Sequence, residues 1–264
     1  MDMLRKELAP IASEAWHEIE SQAVRYFKST LTLRQVVDLV GPKGVDYMAV
    51  PSGRLSQPAE QPEGSVRYGV CRLQPLVEIR SPFELNLWEL DNAARGAADI
   101  DLQPLEKAAW ELAKFEEEAV YLGLKEAGIE PLQSQCDHDP IDYGGKLDQL
   151  YPSVVAGLTT LRKAMIEGPC ALVVRESEWN YLMSTVVGRP LIQHVEAVIG
   201  GPVLFSPFIP AAMLVSLRGG DIEMVLGRDI DIGYSSHSSQ TVSLYFTETF
   251  TFRVLDPTVF LFLT

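Results

Sequence analysis

Glu14 and His17 stand three residues apart, and Glu18 follows His17 directly. The first spacing puts a carboxylate and an imidazole on one helix face, as a di-iron site requires, and the second matches the opening of a zinc-protease helix. Each pattern is incomplete. A di-iron site needs a second such pair with further inward glutamates, and the zinc helix needs a His where Ser21 stands. Cys136, Asp137, His138 and Asp139 offer four ligand types in a row, but consecutive residues do not all converge on one ion, and Pro140 marks a loop. Ser235, Ser236, His237 and Ser238 set hydroxyls beside an imidazole without a G-x-S-x-G elbow, which reads as a polar hairpin turn. No P-loop or G-x-G-x-x-G supplies a phosphate cradle. No catalytic or metal-ligating set is predicted. A hydrolase or metalloenzyme built on the His138 or His237 cluster is the alternative.

The bulk numbers narrow the classes further. With 22 basic and 36 acidic residues among 264, the formal charge is −14, which repels nucleic acid and anionic membrane. Cys71, Cys136 and Cys170 show no C-x-x-C spacing, so neither a disulfide framework nor a zinc site is indicated, and a reducing cytoplasm fits. Asp2, Arg5, Lys6 and Glu7 precede Pro10 and leave no apolar core for a signal peptide. Residues 197–217 carry no charge, but Gly200, Gly201, Pro202, Pro207 and Pro210 would break a membrane helix, so buried strands and turns are expected.

The elements that must position any site are legible from periodicity. Over 241–255, Val242, Leu244, Phe246, Phe250, Phe252 and Val254 share one parity and Ser243, Tyr245, Thr247, Thr249, Thr251 and Arg253 the other, which predicts one strand of about 40 Å. Glu248 alone interrupts the apolar face and needs a partner or water. From Val77, apolar Ile79, Phe83, Leu85 and Leu87 alternate with Glu78, Arg80, Glu84, Asn86 and Trp88, which places Trp88 on the polar face. Ser13 is expected to cap an N-terminal helix with a stripe of Trp16, Ile19, Ala23, Tyr26 and Phe27. Pro104 opens a spine helix striped by Leu105, Ala108, Ala109, Leu112, Phe115, Ala119 and Leu122 and running to Gly128, with Glu116, Glu117 and Glu118 on its solvated or subunit-facing side. After the turn at Gly41-Pro42-Lys43-Gly44, residues 45–72, with Pro51, Gly53, Pro58, Pro62 and Gly64, read as a protruding β-hairpin arm. Helices at 147–166 and 178–186 around a strand at 171–174 suggest a compact α/β block.

Several blocks, in order, resemble the encapsulin shell proteins. They are Ala9-Pro10 before Trp16, Arg34-x-x-Val37-Asp38 leading to Gly41-Pro42, Pro75-Leu76-x-Glu78-x-Arg80-x-Pro82-Phe83 running into Trp88-Glu89-Leu90-Asp91 and Arg95-Gly96, Glu167-Gly168-Pro169, Arg218-Gly219-Gly220-Asp221, Leu226-Gly227-x-Asp229-x-x-Ile232-Gly233-Tyr234, and Glu248-Thr249-Phe250-Thr251-Phe252. The match is collinear over nearly the whole chain. The resemblance implies an α+β tailed-bacteriophage major-capsid fold with three parts. Residues 1–44, 73–135 and 221–264 would form a peripheral domain, 45–72 the extended arm, and 136–220 an axial domain.

The resemblance also implies an icosahedral homo-oligomer in the bacterial cytoplasm, with sixty subunits in the smallest form. Its cargo would be an enzyme such as a dye-decolourising peroxidase or a ferritin-like protein. The groove for the cargo's targeting peptide would comprise Phe27, Leu31, Arg34 and Asp38 facing Ile230, Ile232 and Tyr234. Val186, Val187, Gly188, Arg189 and Pro190 would border a five-fold pore. Arg80 and Trp88 would make a subunit contact or hold a flavin, which some shells of the family carry, although no cofactor is required. A prophage-type capsid protein packaging DNA is a further alternative.

Overall fold

The computed structural model describes residues 3–60 and 63–264, so Asp2 and Pro62 of the sequence reading lie outside the described residues. Two sheets organise the chain. The first has the order β1-β10-β11-β4, from Asp38–Val40, Ile222–His237, Thr241–Val254 and Val77–Asn86. The second has the order β12-β9-β5-β8, from Phe260–Leu263, Ala212–Ser216, Cys170–Val174 and Val203–Phe205. A third pair, β2 at Ala49–Ser56 and β3 at Val70–Pro75, forms the arm.

The alternation over 241–255 is the backbone of the first sheet. Strand β11 pairs antiparallel with β10 from Ile222↔Val254 to His237↔Val242, and with β4 from Thr241↔Asn86 to Phe250↔Val77. Its apolar parity is buried as expected, with Phe246, Phe250 and Phe252 inaccessible or nearly so. The polar parity is less wet than expected, since Thr247 and Thr251 are buried too. The base of the arm crosses there: Gln74 Nε2 donates to Phe252 O at 2.7 Å, and a Cβ on Gly227 would stand 3.1 Å from Tyr47 O.

Helix α1, Ser13–Thr30, and helix α3, Gln103–Tyr121, pack on each other, and α3 covers β4 and β11. In α1 the buried stripe is Ala15, Ile19, Ala23 and Phe27; Trp16 and Tyr26 flank it half-buried, and the N-cap is Ala12 rather than Ser13. Pro104 sits in the first turn of α3, where its missing N–H costs nothing. Two expectations for this helix fail. Phe115 and Leu122 are exposed, while Glu116 and Glu117, expected on the solvated side, are fully buried. Glu116 follows Leu112 by one turn on the face turned to the sheet, and Leu122 lies past the end of the helix at Tyr121, short of the expected Gly128.

Trp88 is not on the polar face of β4. The strand ends at Asn86, whose Oδ1 accepts from Trp88 N at 2.9 Å and Glu89 N at 3.2 Å and so caps helix α2, Leu87–Ala94.

Around the second sheet lie α4 (Leu150–Lys163), α5 (Glu176–Ser184) and α6 (Leu191–Ile199). Helix α6 therefore occupies the start of the uncharged stretch expected to hold only strands and turns, and it stops at Gly200, whose φ of 75° suits glycine. The stretch then supplies β8 and β9. Among the described residues no helix is long and apolar enough to cross a membrane. Strand β12 joins the second sheet rather than the first, pairing with β9 from Phe260↔Val215 to Leu263↔Ala212 and burying all four of its side chains.

Candidate functional site

A groove of about 340 Å³ runs between α1 and β10. Ala23, Val24, Phe27 and Leu31 line one side, Ile230 and Ile232 the other, with Phe246 beneath. Phe27 meets Phe246 edge-on at 5.1 Å between ring centroids, which fixes helix to sheet and leaves an apolar floor. Ile232 is buried and Ile230 half-buried. The sequence-predicted Phe27, Leu31, Arg34, Ile230 and Ile232 thus come together. Asp38 and Tyr234 do not line the groove. Asp38 Oδ2 accepts from Gly220 N at 2.6 Å beside a separate cleft, and Tyr234 points its hydroxyl at His237 Nδ1, 2.6 Å away.

One end of the groove is closed by a segment the sequence reading had not placed there. Lys6 Nζ lies 2.8 Å from Asp231 Oδ1 and 3.0 Å from Glu20 Oε1, and Tyr234 N donates to Leu4 O at 2.7 Å. Burial lowers the Lys6 pKa, but the hydrogen bonds to Asp231 and Glu20 outweigh it and the net shift is upward.

At the other end Arg34 is not a free anchor. Its Nε and Nη2 donate to Glu116 at 2.8 and 2.7 Å, Nη2 also donates to Glu248 Oε1 at 2.5 Å, and Nη1 donates to Asp229 Oδ1 at 2.7 Å. This is the partner Glu248 required on the apolar face of β11. Burial alone would lower the Arg34 pKa; the bonds and charges of Glu116 and Glu248 raise it above its usual value. Burial, and then the Glu116 charge, push the Glu248 carboxyl well above the ordinary range against the pull of Arg34. Glu117, one residue on, accepts from Leu33 N at 2.7 Å and Ser206 Oγ at 2.9 Å and ties the two sheets together. Burial raises its carboxyl to about 7, although both hydrogen bonds oppose the rise.

Val186, Val187, Gly188, Arg189 and Pro190 form a minimal hairpin, β6 at Val186–Val187 with β7 at Arg189–Pro190 and Gly188 at φ 73° between them. The expected helix over 178–186 therefore stops early, at Ser184. Val186, Val187 and Arg189 are exposed.

Arg80 and Trp88 are not neighbours. Asn86 stands six strand steps, roughly 20 Å, beyond Arg80. Arg80 pairs with Glu78 at 2.6 Å and lies over the Tyr245 ring at 5.0 Å, whereas Trp88 is 74 % exposed beyond the strand end. His138 Nε2 lies 2.9 Å from Thr258 O, His237 closes the β10–β11 turn, and among the described residues no group of three His, Cys, Asp or Glu side chains could hold a metal ion.

The family model described as an encapsulating protein for peroxidase matches residues 1–251. The chain belongs to the encapsulin family. A type 1 encapsulin shell protein of Rhodospirillum rubrum is 40% identical over 97% of this chain and 94% of its own. One of Mycobacterium tuberculosis is 34% identical over 96% and 95%. The fold is also that of a virus-like particle from Pyrococcus furiosus, with TM-score 0.67 at 14% identity over 94% of this chain and 99% of that one. The capsid of Myoviridae phage XM1 aligns with TM-score 0.53 at 12% identity over 89% and 91%, a likeness of fold alone.

Within this encapsulin fold the groove residues missed from sequence are Lys6, Glu20, Ala23, Val24, Lys28, Asp229, Asp231 and Phe246. Ala23 and Phe246 were assigned to the apolar stripe and strand face, so only their sharing of one groove was unread. The charges at Lys6, Glu20 and Asp231 left no periodic signal.

Proposed function

We propose that the protein closes with copies of itself into an icosahedral shell of sixty subunits in the bacterial cytoplasm. The shell encloses an enzyme such as a dye-decolourising peroxidase or a ferritin-like protein. The observation that carries this reading, beside the family match, is the arm: Met48, Leu55, Val66, Val70 and Leu73 are all exposed on it, an apolar surface that one protomer leaves uncovered and neighbouring copies can bury. Electron microscopy of the purified protein tests it. Hollow particles of one diameter are expected, and a uniform monomer or dimer at micromolar concentration overturns the reading.

The groove takes the cargo's targeting peptide. Its apolar floor suits an extended segment held by side-chain pockets, and burying each aliphatic side chain is worth roughly 1.5–3 kcal/mol. Retention then draws on avidity from many grooves facing one lumen. Ile230→Asp is expected to cut co-purifying native cargo about tenfold or more while shells still assemble. Shells that keep full cargo place the peptide elsewhere, and loss of shells makes Ile230 a core residue.

The hairpin from Val186 to Pro190 borders the five-fold opening in this reading. Trp88, bare on its own protomer, contributes to subunit contact, and no cofactor is required, since Arg80, the group that would hold a flavin phosphate, is already paired with Glu78. Trp88→Ala is expected to weaken assembly and leave absorbance unchanged. A yellow wild-type shell that loses a flavin spectrum in the variant reverses that assignment.

A further inference from the structure

Beneath the groove, Arg34 faces three carboxylates, and two of them, Glu116 and Glu248, are fully buried. Glu116 is satisfied at both oxygens by Arg34. Glu248 receives one N–H at Oε1, and its Oε2 has no hydrogen-bond partner among the described residues. Two buried carboxylates cannot both ionise around one guanidinium without a large penalty, so one takes a proton, and the unpartnered oxygen is where it fits.

The third carboxylate points to what this proton controls. Asp229 is half-exposed, and its Oδ1 accepts from Arg34 Nη1 at 2.7 Å and from Ile230 N at 2.8 Å. The β10–β11 register slips between Arg228↔Thr249 and Asp231↔Thr247, three residues against two, so Asp229 and Ile230 sit in a β-bulge. A bulge re-aims side chains, and this one presents Ile230 to the groove. The structure assigns to Glu248 a resident proton that keeps Arg34 on Asp229 and thereby sets the bulge forming the groove wall. This rests on the peptide-groove reading above for its meaning, as regulation of that site.

The groups that act on Glu248 are Arg34, Glu116 and, from β10, the charge of Asp229, which like Glu116 favours the protonated carboxyl. From β4 its register partner is Ile79, while Glu78 and Arg80 pair with each other on the opposite parity. From α3, Glu117 is engaged by Leu33 and Ser206 instead. When Glu248 ionises, it competes for the guanidinium at the buried end, and the exposed contact to Asp229 is the one that yields. The sign follows from linkage. A carboxyl raised in the closed state binds its proton more tightly there, so the clamp is complete at low pH and is lost as pH rises toward the raised value.

Hydrogen–deuterium exchange on intact, cargo-free shells tests this. In wild type, protection of the amides over 228–232, corrected for intrinsic rates, is expected to fall roughly tenfold per pH unit above the ordinary carboxylate range. In Glu248→Gln, which keeps the neutral form, the profile is expected to be flat, and Glu117→Gln is expected to keep the wild-type slope. A second reading is infrared: the carbonyl band of a buried, protonated carboxyl should persist at neutral pH in Glu117→Gln shells, where Glu117 cannot contribute it, and be lost when Glu248→Gln is added. A flat wild-type exchange profile, the same slope in Glu248→Gln, or absence of that band overturns the proposal. Cargo retention on the same shells separates the two readings: pH-dependent exchange with pH-independent retention supports the clamp and places the peptide elsewhere.

Discussion

Arg34→Ala is expected to destabilise the folded chain by about 3–5 kcal/mol, the cost of leaving buried charge uncompensated. The whole effect comes from one side chain that bridges Glu116, Glu248 and Asp229. For a chain of this size, melting of intact shells should fall by about 10 °C or more. The loss should be smaller near pH 5 than near pH 8, since the stranded carboxyls gain a proton more readily at the lower pH. The double variant Arg34→Ala with Glu116→Gln should recover part of the loss, because Glu116 is the buried carboxylate whose two oxygens Arg34 satisfies. Thermal unfolding at the two pH values measures all three. An Arg34→Ala shell that melts with the wild type would show that the cluster contributes nothing to stability.

Shortening the arm is expected to abolish closed shells altogether. Replacing residues 52–72 with a two-residue Asn-Gly turn keeps the pairs Ala49↔Pro75, Val50↔Gln74 and Pro51↔Leu73 at its base. The removed part holds Leu55, Val66 and Val70, apolar side chains that are exposed rather than packed on the protomer's core. The protomer should therefore keep its circular dichroism while sedimenting as small species. Full-sized shells from the shortened chain would show that the subunit contacts that close the particle lie elsewhere.

Much of the fold was legible because burial writes a period into the chain. The alternation in β4 and β11 and the stripes of α1 and α3 each record one covered face. Collinear blocks along the chain carried the family. Other features had a local sign that went unread. Asn86 followed three residues later by Glu89 is a helix-start pattern, and it moves Trp88 off the strand and away from Arg80. Glu116, one turn after Leu112, stands within the α3 stripe, although an acid there reads by default as solvated.

What only the tertiary structure decided is which distant segments meet. Arg34 reaches Glu116, Asp229 and Glu248 across 82, 195 and 214 residues, and no periodicity joins positions so far apart. Strand β12 crosses to the second sheet by pairing with β9, although an apolar run of four residues specifies burial and not an address. The sequence determined by itself which faces are buried, because that depends on neighbours three or four residues away in a helix and two in a strand. Charge pairing, groove membership and sheet assignment were decided by the fold, because the Coulomb and desolvation energies of a buried acid depend on whatever the closed chain has placed a few ångströms from it.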